Sequence, residues 1–169
     1  RNNLIKILKS NKIFVTCIAL LILFLSYFSI PNIYNQTDVL KELKSELSDK
    51  FNLNLRFSNE LEYKFFPRPH FTSKETEIIN DESEISKIKN LKIFISLKNL
   101  FPLKKINAYD VVLEGANFNL NIENYNFFIK LLNNNFSNTS LNIINSNIFF
   151  RNIEREVLFI KKILKMKYY

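Results

Sequence analysis

Among its 169 residues the chain has one glycine, one histidine and one cysteine, and each scarcity removes a class of chemistry. With Gly115 alone there is no glycine-rich loop to cradle a phosphate. With His70 alone there is neither a histidine-rich metal site nor a nucleophile served by a second histidine. Beside Pro69, His70 reads as a loop residue. Cys17 alone permits no intrachain disulfide. It also stands near the start of an apolar run, not at its end, where the acylated cysteine of a lipoprotein belongs. The carboxylates are scattered over strand faces and turns, and no two stand out as an acid–base couple. No enzyme, no metal and no cofactor is therefore expected.

What the chain has in quantity is apolar and aromatic: 47% hydrophobic residues, with 17 Phe and 7 Tyr, too many for a disordered chain. Residues Ile13 to Ile30, IFVTCIALLILFLSYFSI, run without a charge. As a helix they span about 27 Å, close to the hydrocarbon thickness of a bilayer. Arg1, Lys6, Lys9 and Lys12 precede the run and the first charge after it is Asp38. The positive-inside rule then puts the N-terminus in the cytoplasm and the rest of the chain outside. A cleaved signal peptide also has a basic start and an apolar stretch. This run is long for one, ends in Tyr27, Phe28 and Ile30, and lacks a small-x-small cleavage site, so it reads as a retained anchor. The net charge of +8 draws on the four leading cations and on a second group, Arg151, Arg155, Lys161, Lys162, Lys165 and Lys167. The second group is interleaved with Ile163, Leu164 and Met166, as in an amphipathic strand, and no nucleic-acid partner is expected.

Beyond Pro31 the periodicity organises the rest. Val39, Leu40, Leu43, Leu47 and Phe51 fall at helical spacing, so DVLKELKSELSDKF reads as an amphipathic helix capped by Thr37 or Asp38. It would either cap the end of a sheet or lie on a membrane surface. After Phe51 the period becomes 2. Leu53, Leu55 and Phe57 mark one strand, ELEYKFF a second, and residues 71–79 a third, with Pro67-Arg68-Pro69 breaking the ladder between the last two. An acidic turn at 80–84 leads to LKIFISL, with Leu91, Ile93, Ile95 and Leu97 on one face, and KNLFP reads as a short helical turn. Two runs, KINAYDVVLE and ANFNLNIE, are read as a hairpin joined around Gly115, where a positive φ is easiest. Phe118, Leu120 and Ile122 share a face of its second arm. A short helix at 125–133, a loop at 133–140, the strand LNIINSNIFF, a polar turn at 152–155 and a last strand complete the chain. The expected fold class is α+β. The boundaries are 1–12 as a cytoplasmic basic flank, 13–30 as a transmembrane helix, 31–51 as linker and amphipathic helix, and 52–169 as a β-rich domain.

The order of these features resembles the N-terminal region of the AsmA family of bacterial inner-membrane-anchored periplasmic proteins. The features are the basic-flanked anchor, the break Phe66-Pro67-Arg68-Pro69, the strand LKIFISL, the turn LKNLFPLKK and the run INAYDVVLEGANFNLNIE. Val112, Leu113, Glu114, Ala116, Phe118 and Leu120 fall where the family's "V-x-L-x-x-A/P-x-I-x-L" pattern lies. Family members run to several hundred residues, so the chain reads as part of a longer protein. The resemblance implies a curved, mainly antiparallel sheet with an apolar concave face, akin to the groove of bridge-like lipid-transfer proteins, and a role in moving phospholipid or supporting outer-membrane assembly. On that reading phospholipid acyl chains, the inner membrane and envelope proteins are the partners, and Leu53, Leu55, Leu91, Ile93, Ile95, Phe118, Leu120 and Ile122 are the candidate groove residues. Two alternatives stay open: the two helices fill the apolar face as an ordinary core, or the protein is an anchored scaffold that binds envelope proteins and carries no lipid.

Overall fold

The computed structural model describes residues 12–58, 60–80, 83–96, 98, 106–133 and 139–168. It divides into two compact units, Arg1–Tyr34 and Asn35–Tyr169. In the first, α1 (Lys12–Ser29) is followed by a 3₁₀ turn (Ile30–Ile33) with Pro31 in its first turn. The helix is long and apolar enough to cross a membrane. Two of its hydroxyl groups are satisfied within the helix, Thr16 Oγ1 donating to Lys12 O and Ser29 Oγ to Leu25 O, each at 2.9 Å. That is how a polar side chain is tolerated in hydrocarbon. Of the basic flank, Arg1, Lys6 and Lys9 lie outside the described residues.

The second unit opens with α2 (Gln36–Phe51). Its cap is Asn35, whose side chain accepts from Thr37 N at 3.0 Å, two or three residues before the expected Thr37 or Asp38. Asp38 in the first turn and Lys50 in the last suit the helix dipole. Asn52 ends the helix in a left-handed conformation (φ 54°) with its N–H bonded to Leu47 O and Ser48 O. The side chains of Val39, Leu43, Leu47 and Phe51 are buried, so the 3.6-residue stripe is the face the helix presents to the core.

Among the described residues, seven strands form one open sheet: β1 (Leu55–Arg56), β2 (Glu62–Lys64), β3 (His70–Asn80), β4 (Ser83–Ile95), β5 (Ala108–Leu120), β6 (Ser140–Arg151) and β7 (Val157–Tyr168), with α3 (Tyr125–Leu132) between β5 and β6. The order is β1-β3-β4-β5-β6-β7, and β2 also pairs with β3. All pairings are antiparallel except β5 with β6, which are parallel and joined through α3. The fold class is α+β. The early strands β1 and β2 do not pair with each other but lie in series along β3. The helical turn expected at KNLFP, apart from Lys98, and most of the loop expected at 133–140 lie outside the described residues.

The hairpin expected around Gly115 is not formed. Residues Ala108 to Leu120 are one continuous strand, β5, and Gly115 sits in its interior at φ 66°. The reason is a slip in the alternation. Along β3 the buried positions step from Ser73 to Thr76, along β4 from Ile88 to Leu91, along β5 from Leu113 to Ala116 and along β6 from Ile143 to Ser146, three residues where a pleat takes two. The registers place all four steps in one row across the sheet. In that row Glu75 (φ 52°), Gly115 and Asn145 (φ 48°) take left-handed backbone. All three belong to strands running the same way. Because neighbouring strands share the slip, the register stays in phase across the row and the inner face stays buried on both sides of it.

Candidate functional site

Six of the eight candidate groove residues, Leu53, Leu55, Leu91, Ile93, Ile95 and Phe118, are at most 4% exposed. They form the core of the second unit together with Leu43, Leu47 and Phe51 of α2 and Phe127, Phe128 and Leu131 of α3. Phe118 meets Phe128 edge-on, with ring centroids 6.0 Å apart. Glu46 pins α2 to the sheet: its carboxylate pairs with Lys50 and accepts from Ala108 N at 3.1 Å, while Lys50 reaches Ala108 O at 3.3 Å. The apolar stripes of both helices are thus spent on the inner face of the sheet.

The other two candidates lie where that cover ends. Leu120 is half-buried and Ile122 is 74% exposed. Leu120, Phe150 and Phe159 occupy one row across β5, β6 and β7. That row is two residues beyond Phe118 on β5, and therefore on the same face. The rings of Phe150 and Phe159 stack with centroids 4.1 Å apart and planes 15° from parallel. With Ile122, Tyr125 and Leu158 these side chains line an apolar cavity of about 280 Å³. Phe150, Phe159 and Tyr125 were not among the sequence candidates, although Phe150 and Phe159 flank the polar turn at 152–155.

Next to the cavity, β7 is an edge of the sheet among the described residues. Val157, Leu158, Phe159, Ile160 and Leu164 are all exposed large apolar residues on this one strand.

His70, expected in a loop, is the first residue of β3 and only 5% exposed. Its Nδ1 lies 2.7 Å from Arg68 O and its ring packs on Phe94, with centroids 5.1 Å apart. The nearby Asp110 carboxylate accepts from Ser140 Oγ (2.7 Å), Asn142 Nδ2 (2.6 Å) and Arg68 Nη2 (3.1 Å). This is a structural latch that ties the Pro-x-Pro segment to β5 and β6. Among the described residues no group of three or more His, Cys, Asp or Glu could hold a metal ion.

The profile of the AsmA family matches residues 6–152 of this chain. No curated protein matches it.

Proposed function

Because this chain belongs to the AsmA family, we propose that it is an envelope protein that handles phospholipid and supports outer-membrane assembly. The helix α1 acts as a single-pass anchor in the inner membrane. Its basic flank stays in the cytoplasm, and the sheet domain lies in the periplasm. Acyl chains lie on the uncovered apolar end of the sheet, against Leu120, Ile122, Tyr125, Phe150 and Phe159. The mechanism is passive and uses no catalytic residue. Of the eight candidates, Leu120 and Ile122 touch lipid, and the six core residues hold the wall from behind.

The observation that carries this reading is the row Leu120–Phe150–Phe159, which extends the inner face beyond the helices and leaves it open. Each buried CH₂ contributes about 0.8 kcal/mol. About six methylenes laid on this patch give roughly 5 kcal/mol, equivalent to a sub-millimolar Kd. Binding of that strength suits a surface that lipid passes over, not one that stores it.

The burial of the remaining inner face under α2 and α3 favours a second reading, an anchored scaffold whose exposed β7 edge pairs with a strand of an envelope protein. One experiment separates the two. A photoreactive phenylalanine analogue is placed at Phe159 in the full chain in bacterial membranes, with Lys87 on the polar face as control. Phospholipid adducts at Phe159 and none at Lys87 are expected. Protein adducts without lipid at Phe159 would give the scaffold the lead.

A further inference from the structure

At the end of the sheet where β3, β5 and β6 finish, a polar cavity of about 620 Å³ opens beside the apolar one. Its lining includes two cations, Arg151 and Arg155, and two anions, Glu84 and Glu123, with Asn119 and Asn121 among them. Asn121 and Arg151 line both cavities, so the polar space and the apolar space share a wall.

The polar walls are built in advance. Asn121 Oδ1 accepts from Glu123 N and Asn124 N, and Asn124 Oδ1 accepts from Asn121 N, all at 3.0 Å. Asn124 is 7% exposed and also donates to Asn119 O at 2.6 Å. Arg151 is held at two points, donating from Nε to Asn119 Oδ1 at 2.9 Å and from Nη1 to Arg155 O at 2.7 Å. The turn that carries Arg155 is closed by Asn152 and Glu156, with Glu156 N donating to Asn152 Oδ1 at 2.8 Å. Such preorganisation lowers the ordering cost of binding a polar group.

We propose that this cavity binds the headgroup of a zwitterionic phospholipid, the phosphate beside Arg151 and Arg155 and the ammonium beside Glu84 and Glu123, with the acyl chains leaving across Leu120, Phe150 and Phe159. The two arginines and two glutamates cancel in charge, which matches a group that carries both signs. A lone anion would meet the two carboxylates. A headgroup-free lipid would make no use of the charged groups at Glu84, Glu123, Arg151 and Arg155. The volume lies within the usual range for small-molecule sites. The proposal rests on the reading that the apolar end takes acyl chains, and adds to it the headgroup class and the residues that select it.

The test uses the full chain in nonionic detergent with a photoreactive phenylalanine analogue in place of the exposed Ile122. It is mixed with vesicles containing radiolabelled phosphatidylethanolamine, phosphatidylglycerol or diacylglycerol. Phosphatidylethanolamine should label most strongly. Arg155→Gln should cut that labelling about tenfold, the worth of one charge-assisted hydrogen bond, and leave diacylglycerol labelling unchanged. Glu84→Gln with Glu123→Gln should shift preference toward phosphatidylglycerol. Equal labelling by all three lipids would overturn the headgroup site and leave the acyl reading standing. Labelling by none would overturn both. Competition by millimolar inorganic phosphate as strong as that by the lipid would reassign the cavity to a free anion and overturn the proposal. Arg155 lies in an exposed turn, and unchanged circular dichroism of its variant keeps the comparison valid.

Discussion

Gly115 on β5 and Lys89 on β4 face each other so closely that a Cβ at position 115 would lie 3.0 Å from the Lys89 Cβ. The same glycine holds φ at 66°, which costs an ordinary residue about 1–2 kcal/mol. Gly115→Val adds a β-branched side chain to both demands and should lower stability by roughly 2–4 kcal/mol. Gly115→Asn should cost less, because asparagine tolerates left-handed backbone, as Asn145 does in the neighbouring strand. Urea unfolding of the two variants checks the order. Equal losses would mean that the contact with Lys89, not the backbone angle, sets the need for glycine.

That glycine also explains where sequence reading went astray. Leu113 and Ala116 are both buried, but a step of three breaks the period-2 pattern, and beside a glycine it resembles a turn. The slips at Ser73–Thr76 and Ile143–Ser146 have no glycine to mark them, and only pairing across the sheet shows that they form one row. Local periodicity did reveal α2 and α3, because their stripes at Leu43, Leu47 and Phe51 and at Phe127, Phe128 and Leu131 are internal to each helix. It also put Leu91, Ile93 and Ile95 on one face. It had no way to show that helix cover is complete at Phe118 and only partial at Leu120, since cover is a tertiary fact. The parallel pairing of β5 with β6 is equally non-local, and it is what brings Leu120 and Phe150 into one row.

Asp110 is 8% exposed and gathers three donors, from Arg68, Ser140 and Asn142. Asp110→Ala leaves those donors without their acceptor and should cost about 2–3 kcal/mol in chemical denaturation. Asp110→Asn keeps an oxygen for Ser140 and loses chiefly the charge opposite Arg68. The Arg68 side chain is half-exposed, so that loss should stay below about 1 kcal/mol. A larger loss in Asp110→Asn than in Asp110→Ala would contradict the latch.

Burial raises the pKa of Tyr63, and its hydroxyl is a buried group without a hydrogen-bond partner. The unfolded phenol ionises first, near pH 10. The folded state is therefore at no disadvantage below that pH and loses stability as pH rises toward the folded value. Tyr63→Phe keeps the ring contact with Phe71, whose centroid lies 5.3 Å away, and removes the ionisation. The variant should match or exceed wild-type stability at pH 8 and gain on it further at pH 11. Burial raises Tyr168 in the same direction, so part of the alkaline loss should persist in Tyr63→Phe. Parallel stability curves for variant and wild type across that range would contradict the assignment.

Ile93 and Phe159 are apolar residues with opposite places in the structure, one fully buried and the other 56% exposed at the open end of the sheet. Placing a carboxylate at Ile93 forces an unpaired charge into the core and should unfold the second unit or cost at least about 4 kcal/mol. Phe159→Asp puts the charge at the rim, in water, and gives up the stacking on Phe150, a loss of about 1 kcal/mol. Thermal unfolding should therefore separate the two variants by many degrees. If lipid rides on the open end, Phe159→Asp should also abolish phospholipid labelling while the fold survives. A folded Phe159→Asp protein that labels as strongly as wild type would show that acyl chains run elsewhere. A folded Ile93→Asp protein would show that the helices lift readily from the sheet and that the groove reaches into what is here the core.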